Sequence, residues 1–141
     1  MRSILLVAHR TAATPKLIDW VHDRAAQEPC AFTLLVPRPY WDPDTDEAAA
    51  VLELALPLLE DAAGARVEGV VGDCDPFEAV LAAVVHGTFD EIVISTLPER
   101  VSHWLRRDLP HRVERLGLPV TVLTARQAER APDAAPARTA S

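Results

Sequence analysis

Glycine is scarce in this 141-residue chain, at five, and cysteine scarcer still, at two. So few glycines leave little backbone free to approach a phosphate closely, and the chain has neither a G-x-x-x-x-G-K-[ST] loop nor a G-x-G-x-x-G turn. A G-x-S-x-G elbow and an H-E-x-x-H pair are missing too, so none of these four signatures points to an enzyme. Cys30 and Cys74 show no C-x-x-C spacing, which excludes a disulfide framework and a thiolate metal site and predicts two buried, reduced thiols. No apolar run approaches the roughly 20 residues needed to cross a bilayer, and no basic leader precedes the first apolar run. We therefore expect a cytoplasmic protein. Positive charge is also short: 14 basic residues face 21 acidic ones, for a net charge of -7 and a pI near 5.1. That balance argues against nucleic acid or an anionic membrane surface as a partner.

What is there reads as one globular domain with 49% hydrophobic and 25% charged residues. Ile4 to Ala8 is a continuous apolar run that suits a strand buried on both faces. Thr14 and Pro15 then offer an N-cap and a first-turn proline for a helix with an apolar stripe of Leu17, Ile18, Val21 and Ala25. Ala31 to Val36 is a second strand, and R-P-Y-W-D-P-D-T-D after it is a loop with Tyr40 and Trp41 partly exposed. A long helix begins at Asp44 or Thr45, with Val51, Leu52, Ala55, Leu56, Leu58 and Leu59 as its apolar face, and Pro57 is expected to divide it into two unequal segments or to bend it. Arg66 to Val71 reads as a strand near the sheet edge. Asp75, Pro76 and Glu78 form a capping-box pattern for a helix that sets Val80, Leu81, Val84 and Val85 on the sheet and stops near Gly87. Glu91 to Ser95 and Val120 to Thr124 are the last strands, and Asp108-Leu109-Pro110 opens a fresh helix between them. Residues 126–141 lack periodicity and read as a disordered tail after a domain of residues 1–125. Strands and helices alternate with connections too long for hairpins, so the chain should form a parallel, doubly wound α/β sheet with helices in layers on both faces.

The chemistry gathers after the fourth strand. Ser95 and Thr96 end it, and Arg100, Arg106, Arg107, Arg112 and Arg115 follow against Glu99, Asp108 and Glu114, a cationic strip in an acidic chain. Such a strip beyond a parallel strand's carboxyl end suits an anionic ligand. Guanidinium presents paired donors to phosphate, and Arg10 and Arg100 stand nearest the strand ends. Arg106 and Arg107, adjacent on a helix, point about 100° apart and read better as a solvated face. His9 ends the first strand, where it could serve as a base opposite Ser95 or Thr96. Without an identified carboxylate partner, a His that caps the strand is the preferred account. Trp104, Leu105, Leu109, Val113 and Leu116 recur at helical spacing, which makes Trp104 a core anchor before it is a base-stacking platform.

In this order and at these distances, the runs I-L-L-V-A, T-L-L-V-P, G-D-C-D-P-F-E-A-V, F-D-E-I-V-I-S-T and L-P-V-T-V-L resemble the universal stress protein family over residues 3–125. The stretch S-T-L-P to S-H-W-L-R-R-D-L-P-H-R-V is similar to actinobacterial members, and the thirteen arginines to one lysine of the whole chain suit a GC-rich genome. The resemblance implies a three-layer, five-stranded parallel sheet in the order 3-2-1-4-5, of the adenine nucleotide alpha hydrolase-like kind, with a homodimer and an adenine nucleotide such as ATP as expected partner and ligand. The family's ATP motif, Gly, two residues, Gly, nine residues, then Gly before Ser or Thr, falls here on Ser95, Pro98, Asp108 and Leu109, so the motif itself is absent. His9 stands where family members often carry an acidic residue.

The candidate binding set is therefore His9, Arg10, Thr11, Val36, Ser95, Thr96, Arg100 and Ser102, holding a small anionic ligand, with no catalytic or metal residue assigned. The rival account is a dimeric protein-interaction domain without nucleotide, in which Leu97 and Pro98 take up the space that a phosphate would need. A hydrolytic role for His9 ranks last. Either account uses the fifth strand, V-T-V-L-T. At the sheet edge it would carry no charge, proline or bulge to prevent pairing, which predicts a homodimer across residues 119–125.

Overall fold

The computed structural model describes residues 1–9, 11–38, 46–97 and 103–124. The loop with Tyr40 and Trp41, the start of the second helix before residue 46, and the tail lie outside these. Five parallel strands, β1 (Arg2–Val7), β2 (Cys30–Pro37), β3 (Glu68–Gly72), β4 (Glu91–Thr96) and β5 (Val120–Thr124), form one sheet in the order β3-β2-β1-β4-β5. Helices α1 (Pro15–Gln27), α2 (Asp46–Ala63), α3 (Pro76–His86), α4 (His103–Arg106) and α5 (Leu109–Glu114) connect them.

Because successive side chains of a strand point to opposite faces, the unbroken apolar runs feed two cores. Ile4 and Leu6 of β1, Leu34 and Val36 of β2 and Val93 of β4 pack on Leu17 and Val21 of α1 and on Ala55 and Leu59 of α2. Leu5 and Val7, Leu35, Ile92 and Ile94 pack instead on Ala79 and Val80 of α3 and on Leu109 and Val113 of α5. Register fixes this partition: Leu5 sits between Thr33 and Ile92, and Leu6 between Leu34 and Val93. A slip of one residue would exchange the two cores.

Several expectations change in detail. Thr14 precedes α1, but its side chain bonds no helix N–H; the hydroxyl donates back to the carbonyl of Thr11 at 2.8 Å. Asp75 caps α3 by accepting from the N–H groups of Phe77 and Glu78, whereas its own N–H goes to Asp73 Oδ1 at 3.0 Å, so Glu78 does not close the box. Ala79 is buried on α3's inner face and Ala83 packs there, while Val85 stands exposed. Helix α2 runs through Pro57 as a single element, the proline lying on its exposed side. Leu58 is exposed there together with Leu54. Strand β3 starts two residues later than expected, because the N–H of Val67 is taken by Glu60 Oε2 at 3.1 Å, and it does lie at the edge. Cys30 is half-buried, but Cys74 is exposed in the turn before α3. Burial pushes the Cys30 thiol up from its ordinary value.

The amino ends of β1 and β4 are tied by charge. Arg24 of α1 donates to Glu91 Oε1 at 2.7 Å and to Oε2 at 3.1 Å, Arg2 adds a bond at 3.4 Å, and the Arg24 guanidinium lies over the Trp20 ring at 4.8 Å. Burial of Glu91 opposes its charge, yet the bonds and positive charges of Arg24 and Arg2 outweigh it and hold the carboxyl below its ordinary value. Sequence reading missed this group, since nothing local links residues 24 and 91.

Candidate functional site

In this strand order the chain leaves β1 toward α1 in one layer and leaves β4 toward α4 and α5 in the other. Between adjacent strands whose connections diverge, a crevice opens at the carboxyl ends. Four of the candidate residues lie at this end of the sheet. His9 and Thr11 follow β1, and Ser95 and Thr96 end β4. Val36 lies near the carboxyl end of β2, fully buried. Arg10, Arg100 and Ser102 lie outside the described residues.

Thr11 and Ser95 meet directly. Their hydroxyls are 2.7 Å apart, with Thr11 1% and Ser95 2% exposed. The turn that presents Thr11 is held by the N–H of Ala12 donating to the carbonyl of His9 at 3.3 Å and that of Thr14 donating to the carbonyl of Thr11 at 3.2 Å. Ala12 is itself seated in the core. The end of β1 is further fixed by the N–H of Ala8, which donates to Leu35 at 3.1 Å. Thr96 is also buried, its hydroxyl 3.4 Å from the carbonyl of Leu97.

His9 does have a carboxylate neighbour: its Nε2 lies 3.4 Å from Glu47 Oε2, at the first turn of α2. Sequence reading did not find Glu47, whose only signal is an acid in a helix's first turn. On the neighbouring rim, the N–H of Asp75 and, less strongly, the groups of Cys74 and the charge of Arg38 hold Asp73 below its ordinary value against slight burial. Among the described residues no group of three or more His, Cys, Asp and Glu could hold a metal ion, and no helix is long and apolar enough to cross a membrane.

Of the two positions that correspond to the end of the ATP motif, Asp108 is exposed and Leu109 is packed in the core. Asp108 takes the left-handed conformation at φ 59°, with its carboxylate 3.3 Å from His111 Nδ1. Leu109 is buried in the second core, and Trp104 packs against that core, as an anchor should. Arg112 stacks over Phe77 at 4.5 Å instead of pointing to solvent alone.

The fold is the α/β fold of universal stress proteins, a five-stranded parallel sheet with helices on both faces. No family model and no curated protein matches the chain. Among solved structures it is similar to a universal stress protein from Archaeoglobus fulgidus, at 14% identity and a TM-score of 0.64 over 86% of this chain and 93% of that one. A universal stress protein solved in complex with cAMP is 16% identical, with a TM-score of 0.65 over 89% of this chain and 98% of that one. A family protein from Arabidopsis thaliana with AMP bound is 12% identical, with a TM-score of 0.58 over 96% and 99% of the two chains.

Proposed function

We propose that this chain is a universal stress protein-like binding module that takes an adenine nucleotide, or another small anionic ligand, at the crevice between β1 and β4. It works in the cytoplasm as a homodimer. The observation that carries this reading is the β3-β2-β1-β4-β5 sheet, which brings the turn after β1 and the end of β4 into hydrogen-bond contact at the one point where their connections part. Neighbours of the same fold were solved with cAMP, dAMP and AMP, all monophosphates. Titration calorimetry with AMP, cAMP and ATP tests it. Binding of at least one is expected, and silence across the panel refutes the nucleotide reading.

A second reading, a dimeric protein-interaction domain without nucleotide, is favoured by one observation: Leu109, where the ATP motif would need a hydroxyl, is locked into the core. Both readings place the dimer at β5, whose outer edge pairs with no other strand among the described residues and whose Val122 is 39% exposed. Two copies meeting antiparallel would pair both edges. Light scattering at tens of micromolar should find a dimer, and Thr121→Pro, which deletes a donor along the strand, should find monomer or aggregate. A monomeric parent protein, or a dimeric Thr121→Pro variant, would refute that placement.

A further inference from the structure

Leu54 is 65% exposed and Leu58 43%, and among the described residues no other element leaves two large apolar side chains in water. They stand one turn apart on α2, with Ala50 and Pro57 exposed beside them, so the outer side of this helix is an apolar row from residue 50 to residue 58. The inner side is taken up by the fold. Ala48, Ala55 and Leu59 lie in the core, and Leu52 and Leu56 cover Gly69 of β3 so closely that a Cβ there would stand 2.8 Å from Leu56. Neither the core nor the crevice uses the outer row.

The charge around the row has one sign. Glu53 and Asp61 are exposed on the same side, neither is ion-paired among the described residues, and α2 holds no lysine or arginine. On α1, which packs beside α2, exposed Asp19 and Asp23 stand against Lys16 and an Arg24 already bound to Glu91. Pro57 adds an acceptor: it has no N–H to give the carbonyl of Glu53 one turn back, and both residues are exposed. We infer that this face docks an amphipathic helix of a partner protein, with apolar residues along one side and lysine or arginine at their margins. Carboxylates and a carbonyl border the row, so cations are matched locally, and the net charge of -7 steers them toward the chain. A second copy fits worse, because α2 against α2 would set Glu53 and Asp61 against acids with no base between them. The residues after Thr124 have no apolar side chain larger than proline and cannot fill the row. The inference does not rest on the nucleotide reading.

The test uses the whole chain and two synthetic helical peptides of about five turns, one with leucines on one face and lysines and arginines elsewhere, the other with glutamates in place of the basic residues. The basic peptide should bind, and the amide NMR shifts that change should centre on residues 50–61. In Leu54→Ser/Leu58→Ser, which alters only exposed side chains, affinity for it should fall about tenfold or more, since the row can no longer bury leucine. Glu53→Gln/Asp61→Asn keeps the row and its shape; it should weaken binding about fivefold and flatten the dependence on salt, and it guards against a folding defect in the first variant. Equal affinity for the acidic peptide, shifts centred elsewhere, or an unaltered Kd in either variant would overturn the proposal. So would light scattering that finds the parent associating with concentration and Leu54→Ser/Leu58→Ser abolishing it, which would assign the face to a second copy.

Discussion

Arg24 and Glu91 form an asymmetric pair, and the asymmetry predicts which deletion does more harm. The side chain of Glu91 is 6% exposed and that of Arg24 21%. Arg24→Ala removes two charged hydrogen bonds and the cover over Trp20, and it leaves a buried carboxylate with only the half-exposed Arg2 at 3.4 Å. Breaking a buried pair from one side costs about 3 to 5 kcal/mol; with Arg2 still in reach, we expect about 3 kcal/mol. Glu91→Gln keeps the shape and one acceptor, and the freed guanidinium can turn to water, so about 1 kcal/mol is expected. The two costs should also respond differently to pH. In the parent, Glu91 has a folded pKa below its unfolded value, so its contribution is complete above the unfolded value of about 4.3 and is lost as pH falls through the folded one. In Arg24→Ala, burial, the largest influence on Glu91, is opposed only by the half-exposed Arg2 and should raise the folded pKa, so that variant recovers stability as pH falls from 7 toward 4. The gap between parent and variant should therefore be widest near pH 7 and narrow on acidification. Urea unfolding followed by far-UV circular dichroism from pH 3.5 to 7.5 measures it without relying on the perturbed Trp20. A constant gap, or Glu91→Gln costing more than Arg24→Ala, would refute the reasoning.

Three further outcomes are expected from the same unfolding assay. Gly72→Ala should cost about 1 to 3 kcal/mol, because a Cβ there would stand 2.7 Å from the Ala79 Cβ and 2.8 Å from Leu35 Cδ1 where β3 meets α3. Asp75→Ala should cost about 1 kcal/mol by freeing the N–H groups of Phe77 and Glu78, and Asp75→Ser should restore most of it. Pro57→Ala should raise stability by about 1 kcal/mol or more, since the proline interrupts a helix whose course it does not divide.

The sheet was legible because its strands are buried on both faces and so appear as runs such as Ile4 to Ala8, and because caps such as Asp75-Pro76 mark where helices begin. Less legible was which side of a helix faces inward. The apolar residues of α3 outnumber the positions that its short contact with the sheet can hide, so Val85 was read as buried and is exposed. The same surplus misplaced Leu58 on α2. Contacts between distant segments left no trace at all: Glu47 beside His9, and Glu91 under Arg24, are joined by topology and not by spacing. Ser95 and Thr11 were found only because strand ends at a reversal of order are where side chains converge.

These two sets of long-range contacts sit at opposite ends of the same pair of strands, and their strengths differ in kind. At the amino ends of β1 and β4, Arg2, Arg24 and Glu91 make charged bonds among largely buried groups, whose disruption costs several times the roughly 1 kcal/mol of an ordinary net hydrogen bond. At the carboxyl ends, the neutral pair of Thr11 and Ser95 carries only that ordinary amount. Of the two side-chain contacts between these strand ends, the charged one at the amino ends therefore contributes more to holding the β1 and β4 regions together, and the neutral one at the carboxyl ends adds a smaller increment to the ladder and core packing already there.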